Sequence, residues 1–86
     1  MSKAKQQMRH ARRRSLERHR IELNAEDYRN LVAQIQKGQA RFVERQSRRV
    51  TVWIVTHDGR EMRAVYDGER HTIATFLPLD VSEPVL

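Results

Sequence analysis

The chain has 86 residues, a formal net charge of +6 at pH 7 and no cysteine. This length fits one small domain, and the missing thiols exclude disulfides, thiolate metal sites and a cysteine nucleophile. No apolar run reaches membrane-spanning length, and no signal-peptide hydrophobic region follows the charged N-terminus. We therefore expect a cytoplasmic protein without a membrane partner.

The positive charge is concentrated at the N-terminus. Residues 1–20 hold eight Lys and Arg against one acid, whereas the remaining 66 residues hold nine against ten. Such asymmetry is typical of a protein with a polyanionic partner, nucleic acid first and an anionic membrane surface second. A solubilising tail is the plainer alternative.

The first predicted element is a helix within residues 2–20, which lack Gly and Pro and are rich in good helix formers. We expect it over the second half of this segment, with the first few residues frayed. Its apolar stripe is thin and consists of Ala4, Met8, Ala11 and Leu16.

A second helix is predicted over residues 25–37. Asn24 can cap its start, and Gly38 is a natural stop at its end. Its apolar residues recur at the spacing of one helical face. They are Tyr28, Leu31, Val32 and Ile35.

Four strands are predicted next, over residues 40–46, 49–57, 60–66 and 71–77, where β-branched and aromatic residues dominate. Asp58-Gly59 and Asp67-Gly68 indicate tight hairpin turns. The predicted fold class is α+β, with two N-terminal helices followed by a four-stranded antiparallel meander in one domain over residues 1–80. Residues 81–86 are predicted to be an irregular tail, although their apolar side chains could dock.

The turn at 58–59 pairs His57 with Arg60 and Val55 with Met62, and strict alternation then assigns the two sheet faces. Arg63 and Thr75 fall on opposite faces. Either face could be the one that the helices cover. The first face carries Trp53, Val55, Met62, Ala64, Tyr66, His71, Ile73, Thr75 and Leu77, and the second carries Val52, Ile54, Arg63, Val65, Thr72, Ala74 and Phe76.

One set of residues on the first helix carries candidate chemistry. Guanidinium groups bind a phosphodiester through charge-assisted hydrogen bonds, and an imidazole can transfer protons near neutral pH. Together they suit metal-independent RNA cleavage, in which the 2′-hydroxyl attacks its own phosphate. The alternative is a solvated basic face with an incidental histidine. The residues that share this face are His10, Arg13, Arg14, Glu17 and Arg18.

Two of the other histidines, His19 and His57, are weaker candidates for a functional site. His10 and His19 lie nine residues apart, which places them on opposite sides of a helix, so we expect no metal site and no cofactor. His57 abuts the tight turn and is interpreted as a solvated strand end.

The segments "HARRRSLER", "LNAEDYRNLVAQIQKG" and "MRAVYDGERHTIATFLP" occur in an order that resembles small bacterial and phage domains of the DUF4258 type. That family is grouped with the barnase–EndoU–colicin–RelE-like RNase fold, which implies a RelE-like architecture and toxin-like endoribonuclease activity. The chain departs from the family pattern after the first helix, where the usual Arg-Gly-Ile-Ser turn lacks its glycine. The functional positions that the resemblance carries over are His10, Arg14, Arg18, Arg63 and Thr75.

The predicted catalytic residues are therefore His10, Arg63 and His71. Arg63 needs either an acidic partner, Glu61 or Glu69, or a ligand phosphate, and His71 with Tyr66 could form a second acid/base pair. Thr75 is more typical of a strand former than of a catalytic hydroxyl, and Trp53 is more typical of a core anchor than of a base-stacking residue. The predicted nucleic-acid contacts are Arg9, Arg13, Arg14, Arg18 and Arg20.

These observations favour an RNA-directed protein, a candidate metal-independent endoribonuclease, with RNA as its partner. The alternative is a non-enzymatic protein of phage or mobile-element type that binds and inhibits a host protein. A double-stranded DNA binder ranks third, because no helix-turn-helix pattern is present. An antitoxin partner and the oligomeric state are left open by the sequence.

Overall fold

The order of elements is α1 (Lys3–His19), α2 (Ala25–Gln36), β1 (Arg41–Arg45), β2 (Val50–His57), β3 (Arg60–Asp67) and β4 (Thr72–Leu77). This is a computed structural model of the chain, and it describes residues 2–79. The strands form one antiparallel sheet in the order β1-β2-β3-β4, which confirms the predicted α+β meander. The prediction for residues 81–86 lies outside the described residues.

Helix α1 begins earlier than the sequence predicted. The side chain of Ser2 accepts a hydrogen bond from the backbone N–H of Lys5 at 3.2 Å, so the first turn is capped rather than frayed. The apolar stripe was also wrong at one position, since Leu16 is 48% exposed and Ser15 is fully buried. Ser15 tolerates burial because its hydroxyl donates to the carbonyl of Ile21 at 2.8 Å.

The C-terminal end of α1 is closed without a glycine. Arg20 adopts the left-handed conformation, with φ at 58°, and its N–H bonds the carbonyl of Leu16 at 3.0 Å. Two contacts then tie this end to the sheet: Arg60 donates to the carbonyl of His19, and the His19 imidazole donates to the carbonyl of Leu77. Arg20 therefore closes the helix in a left-handed conformation that residues other than glycine disfavour.

Helix α2 agrees with its prediction. The side chain of Asn24 accepts from the N–H of Asp27 at 2.7 Å, and Asp27 accepts in return from the N–H of Asn24 at 3.2 Å. Gly38 follows the helix with φ at 74°. All the predicted apolar positions are buried: Tyr28, Leu31, Val32 and Ile35.

The sheet confirms the predicted pairing of β2 with β3 but not the predicted faces of β4. Val65 pairs with Thr75, whereas Tyr66 pairs with Ile73, so Ala74 is an extra residue that forms a bulge in β4. Alternation breaks at this bulge. Phe76 therefore joins Ile73 on the face covered by the helices, while Thr75 and Leu77 lie on the outer face with Arg63, where Arg63 and Leu77 pair directly.

The helices cover the inner face of the sheet, with α1 packed mainly on β4 and α2 on β2. β1 is the edge strand opposite β4, and most of its residues are exposed. The sheet residues in the core cluster are Val55, Met62, Ala64, Tyr66, Ile73 and Phe76.

Candidate nucleic-acid interface

Most of the predicted contacts on α1 are exposed to solvent. Ala11 and Ser15 point into the fold, whereas the side chains of four predicted residues, Arg9, His10, Arg13 and Arg18, are exposed. Arg14 is partly neutralised by Glu17, whose carboxylate lies 2.7 Å from its guanidinium. Arg12 is turned inward, where its Nε donates to the carbonyl of Leu23 at 2.7 Å. We call the exposed set the basic flank; its members are Arg9, His10, Arg13 and Arg18.

His10 also lines a groove of about 390 Å³ between α1 and the sheet. We call it the cationic groove. Three of its basic members were not predicted from the sequence: Lys3 at the start of α1, Arg49 before β2 and Arg70 after β3. Arg49 and Arg70 line the same groove as His10 because the β1–β2 and β3–β4 turns of the meander lie at the same end of the sheet. The groove is lined by Lys3, Gln6, Gln7, His10, Arg49, Arg70 and Ala74.

Asp67 holds the two arginines of the groove in place. Its carboxylate, 3% exposed, lies 3.1 Å from the guanidinium of Arg70 and 3.8 Å from that of Arg49. It also accepts a hydrogen bond from Gln7 of α1 at 3.2 Å, and Gln7 accepts one from Thr72. Burial raises the pKa of Asp67, but the hydrogen bonds from Gln7, Arg70 and the Glu69 N–H outweigh it and lower the pKa to about 2. The carboxylate therefore stays ionised and keeps both guanidinium groups at the groove.

His71 lies elsewhere. It adopts a left-handed conformation in the β3–β4 turn and lines a separate cavity of about 440 Å³ with Lys5 and Met8. Positions 5 and 8 lie on the opposite side of α1 from position 10 at about 100° per residue. Tyr66, its predicted acid/base companion, lines a different cavity. The structure thus does not bring His71 together with His10 or with Tyr66 around one cavity.

Arg63 lies in a third place, on the outer face of the sheet. Its guanidinium donates to the carbonyl of Leu79 at 3.2 Å, and its buried Nε has no hydrogen-bond partner among residues 2–79. Neither predicted acid pairs with it, since Glu61 lies 3.9 Å from Arg41 and Glu69 lies 2.6 Å from Arg49. Its predicted catalytic role stays a prediction, in a site that would have to be separate from the cationic groove.

Within residues 2–79, neither helix has the length and apolar character needed to cross a membrane. The same residues include no group of three His, Asp or Glu side chains arranged to hold a metal ion. Comparison with family models, with curated proteins and with solved structures finds no match for this chain. The functional assignment therefore depends on the geometry of the cationic groove and the basic flank.

Proposed function

We propose that the protein binds RNA, and that the cationic groove and the basic flank contact the phosphodiester backbone. The observation that carries this proposal is the convergence of His10 and Lys3 of α1 with Arg49 and Arg70 from two distant turns around one groove. Guanidinium and ammonium groups bind phosphate by charge-assisted hydrogen bonds, and such contacts dominate the affinity of nucleic-acid-binding proteins.

His10 is the proton-transfer residue in this proposal. Its imidazole removes the proton of a 2′-hydroxyl, and the 2′-oxygen attacks the neighbouring phosphorus while the bond to the 5′-oxygen breaks. The leaving oxygen takes its proton from water, because His71 lies across α1 from His10. Each general acid or base typically contributes 10²–10⁴-fold to a rate. A ribonuclease with one such group should therefore be slow.

The test uses labelled RNA incubated in EDTA with the parent protein, with His10→Ala and with the matched control His57→Ala. We expect fragments on a denaturing gel from the parent and from His57→Ala, and at least a hundredfold less cleavage from His10→Ala. Undiminished cleavage by His10→Ala would remove His10 from the reaction. The same samples on a native gel report binding independently of cleavage, and duplex DNA in place of RNA tests the selectivity for RNA.

A non-enzymatic interaction protein is the second candidate. The observation that favours it is the separation of His10, Arg63 and His71 into three places, which leaves no assembled catalytic set in the described residues. In that case the parent protein would neither cleave nor shift RNA. The basic flank would instead bind an acidic protein surface, and the double variant Arg13→Glu, Arg18→Glu would abolish that complex.

A further inference from the structure

A third cavity, of about 450 Å³, lies between the C-terminal end of α2 and the two turns that border the cationic groove. We call it the Trp53 cavity. Trp53 and Tyr66 supply its aromatic surface, and arginines from the end of β1 and from the β1–β2 turn line it. Its volume is in the range of about 300–1,000 Å³ that is typical of small-molecule sites. The residues that line it are Ile35, Gln36, Arg45, Arg48, Arg49, Thr51, Trp53, Tyr66, Gly68 and Glu69.

The indole of Trp53 is held in place and only half-buried. Its Nε1 donates to the hydroxyl of Thr51 at 2.8 Å, so its polar atom is already satisfied. Phe42 contacts it edge-to-face, with ring centroids 5.2 Å apart and planes at 78°. The indole therefore presents an apolar π surface to a ligand, and Thr51 and Phe42 hold the ring in place. Such a surface is suited to stacking.

The arginines around this cavity differ in how far they are neutralised. Arg49 is paired with Glu69 at 2.6 Å. Arg45 donates to the backbone carbonyls of Ser47 and Arg48, and within residues 2–79 neither Arg45 nor Arg48 forms an ion pair with a carboxylate. Two uncompensated guanidinium groups thus lie beside an aromatic surface, which favours a ligand that is both flat and anionic.

We infer that the Trp53 cavity binds an unpaired nucleobase of single-stranded RNA, with Arg45 and Arg48 on the adjoining phosphates. Aromatic surfaces beside positive charge recognise single strands, because a stacked base in a duplex cannot enter such a cavity. The Tyr66 hydroxyl accepts from Gln36 at 3.2 Å and, within residues 2–79, donates to no acceptor, which leaves its proton for an acceptor on the base. This inference rests on the proposed function: Arg49 lines both the cationic groove and the Trp53 cavity, so one strand can occupy both.

Trp53 is the only tryptophan, so its fluorescence reports on this cavity directly. We expect a short single-stranded RNA to quench it saturably, and the corresponding duplex at equal phosphate concentration to leave it unchanged. Arg48→Gln should weaken single-strand binding several-fold, whereas the matched control Arg41→Gln, an arginine on β1 that lies near Glu61, should not. Trp53→Leu should weaken it roughly tenfold or more.

The outcomes separate this inference from the proposed function. If single-stranded RNA shifts on a native gel but leaves the Trp53 fluorescence unchanged, the cavity is not a base site and the proposed function survives. Equal quenching by the duplex would also overturn the inference. Quenching by a nucleoside monophosphate without any RNA shift would refute the proposed function and overturn the inference with it, because the cavity would then be a site for free nucleotides and not for RNA.

Discussion

At the scale of single residues, Asp67 connects the fold to the candidate site. It is a buried carboxylate at the end of β3, and it contacts α1 through Gln7 and both turns through Arg49 and Arg70. A buried charge is costly unless its hydrogen bonds are complete. Here they are complete enough that the pKa of Asp67 is lowered from 3.8 to about 2.

This lowered pKa predicts an acid-sensitive contribution to stability. The ionised carboxylate stabilises the fold fully above the unfolded-state pKa of 3.8, and the contribution is lost as the pH falls toward about 2. Its size is about 2 kcal/mol in the free energy of unfolding. Urea denaturation at pH 7 and at pH 2 should therefore show that the parent loses about 2 kcal/mol more than Asp67→Asn between the two conditions.

The control is Asp58→Asn in the β2–β3 turn, because the side chain of Asp58 is 86% exposed. This variant should follow the parent at both pH values. Equal losses in the parent and in Asp67→Asn would show that Asp67 is not held ionised by its contacts.

At the scale of elements, the bulge in β4 depends on a contact from α2. The Tyr28 hydroxyl donates to the carbonyl of Ile73 at 2.6 Å and accepts from its N–H at 2.9 Å, so one side chain satisfies both backbone groups next to the bulge. Burial raises the pKa of Tyr28 to about 12, which keeps the hydroxyl protonated and able to donate. Tyr28 is therefore a structural residue that holds α2 on the sheet.

Tyr28→Phe removes this contact and leaves two buried backbone groups without a partner. We expect the free energy of unfolding to fall by at least about 2 kcal/mol, since each of the two unsatisfied buried groups costs about 1–3 kcal/mol. Urea denaturation at neutral pH measures the loss. Tyr66→Phe is the matched control, because among the described residues 2–79 the Tyr66 hydroxyl bonds only the amide of Gln36. Similar losses in the two variants would refute the role given to Tyr28.

At the scale of the whole molecule, the meander collects basic residues at one end. The turns that carry Arg48, Arg49 and Arg70 lie beside the N-terminal half of α1, which adds Lys3 and His10. A surface of this kind attracts polyanions over a distance set by the ionic strength.

RNA affinity should accordingly fall as salt rises. For a single strand the slope of log affinity against log salt is about −0.7 for each phosphate that is neutralised. Arg13→Gln on the basic flank should make the slope less steep by about 0.7, whereas Lys37→Gln, an exposed lysine at the end of α2, should not change it. Fluorescence anisotropy of labelled RNA over a salt series measures both. Identical slopes in the two variants would exclude Arg13 from the phosphate contacts.

The sequence by itself determined the elements whose signals are local. Asn24 caps the start of α2, and Gly38 ends the helix in a left-handed conformation. The Asp58-Gly59 turn sets the register of β2 with β3. The sequence also predicted the positive charge of α1, because charge follows from residue composition alone. These predictions agree with the structure since each depends on residues within a few positions of one another.

Only the tertiary structure decided which groups meet. The bulge at Ala74 moves Phe76 into the core and Thr75 out of it, and strict alternation cannot anticipate an inserted residue. Arg49 and Arg70 join His10 because the chain reverses three times and returns two turns to one end of the sheet. His71 and Arg63 are separated from His10 for the same reason: proximity between residues tens of positions apart follows from packing, which no local pattern encodes.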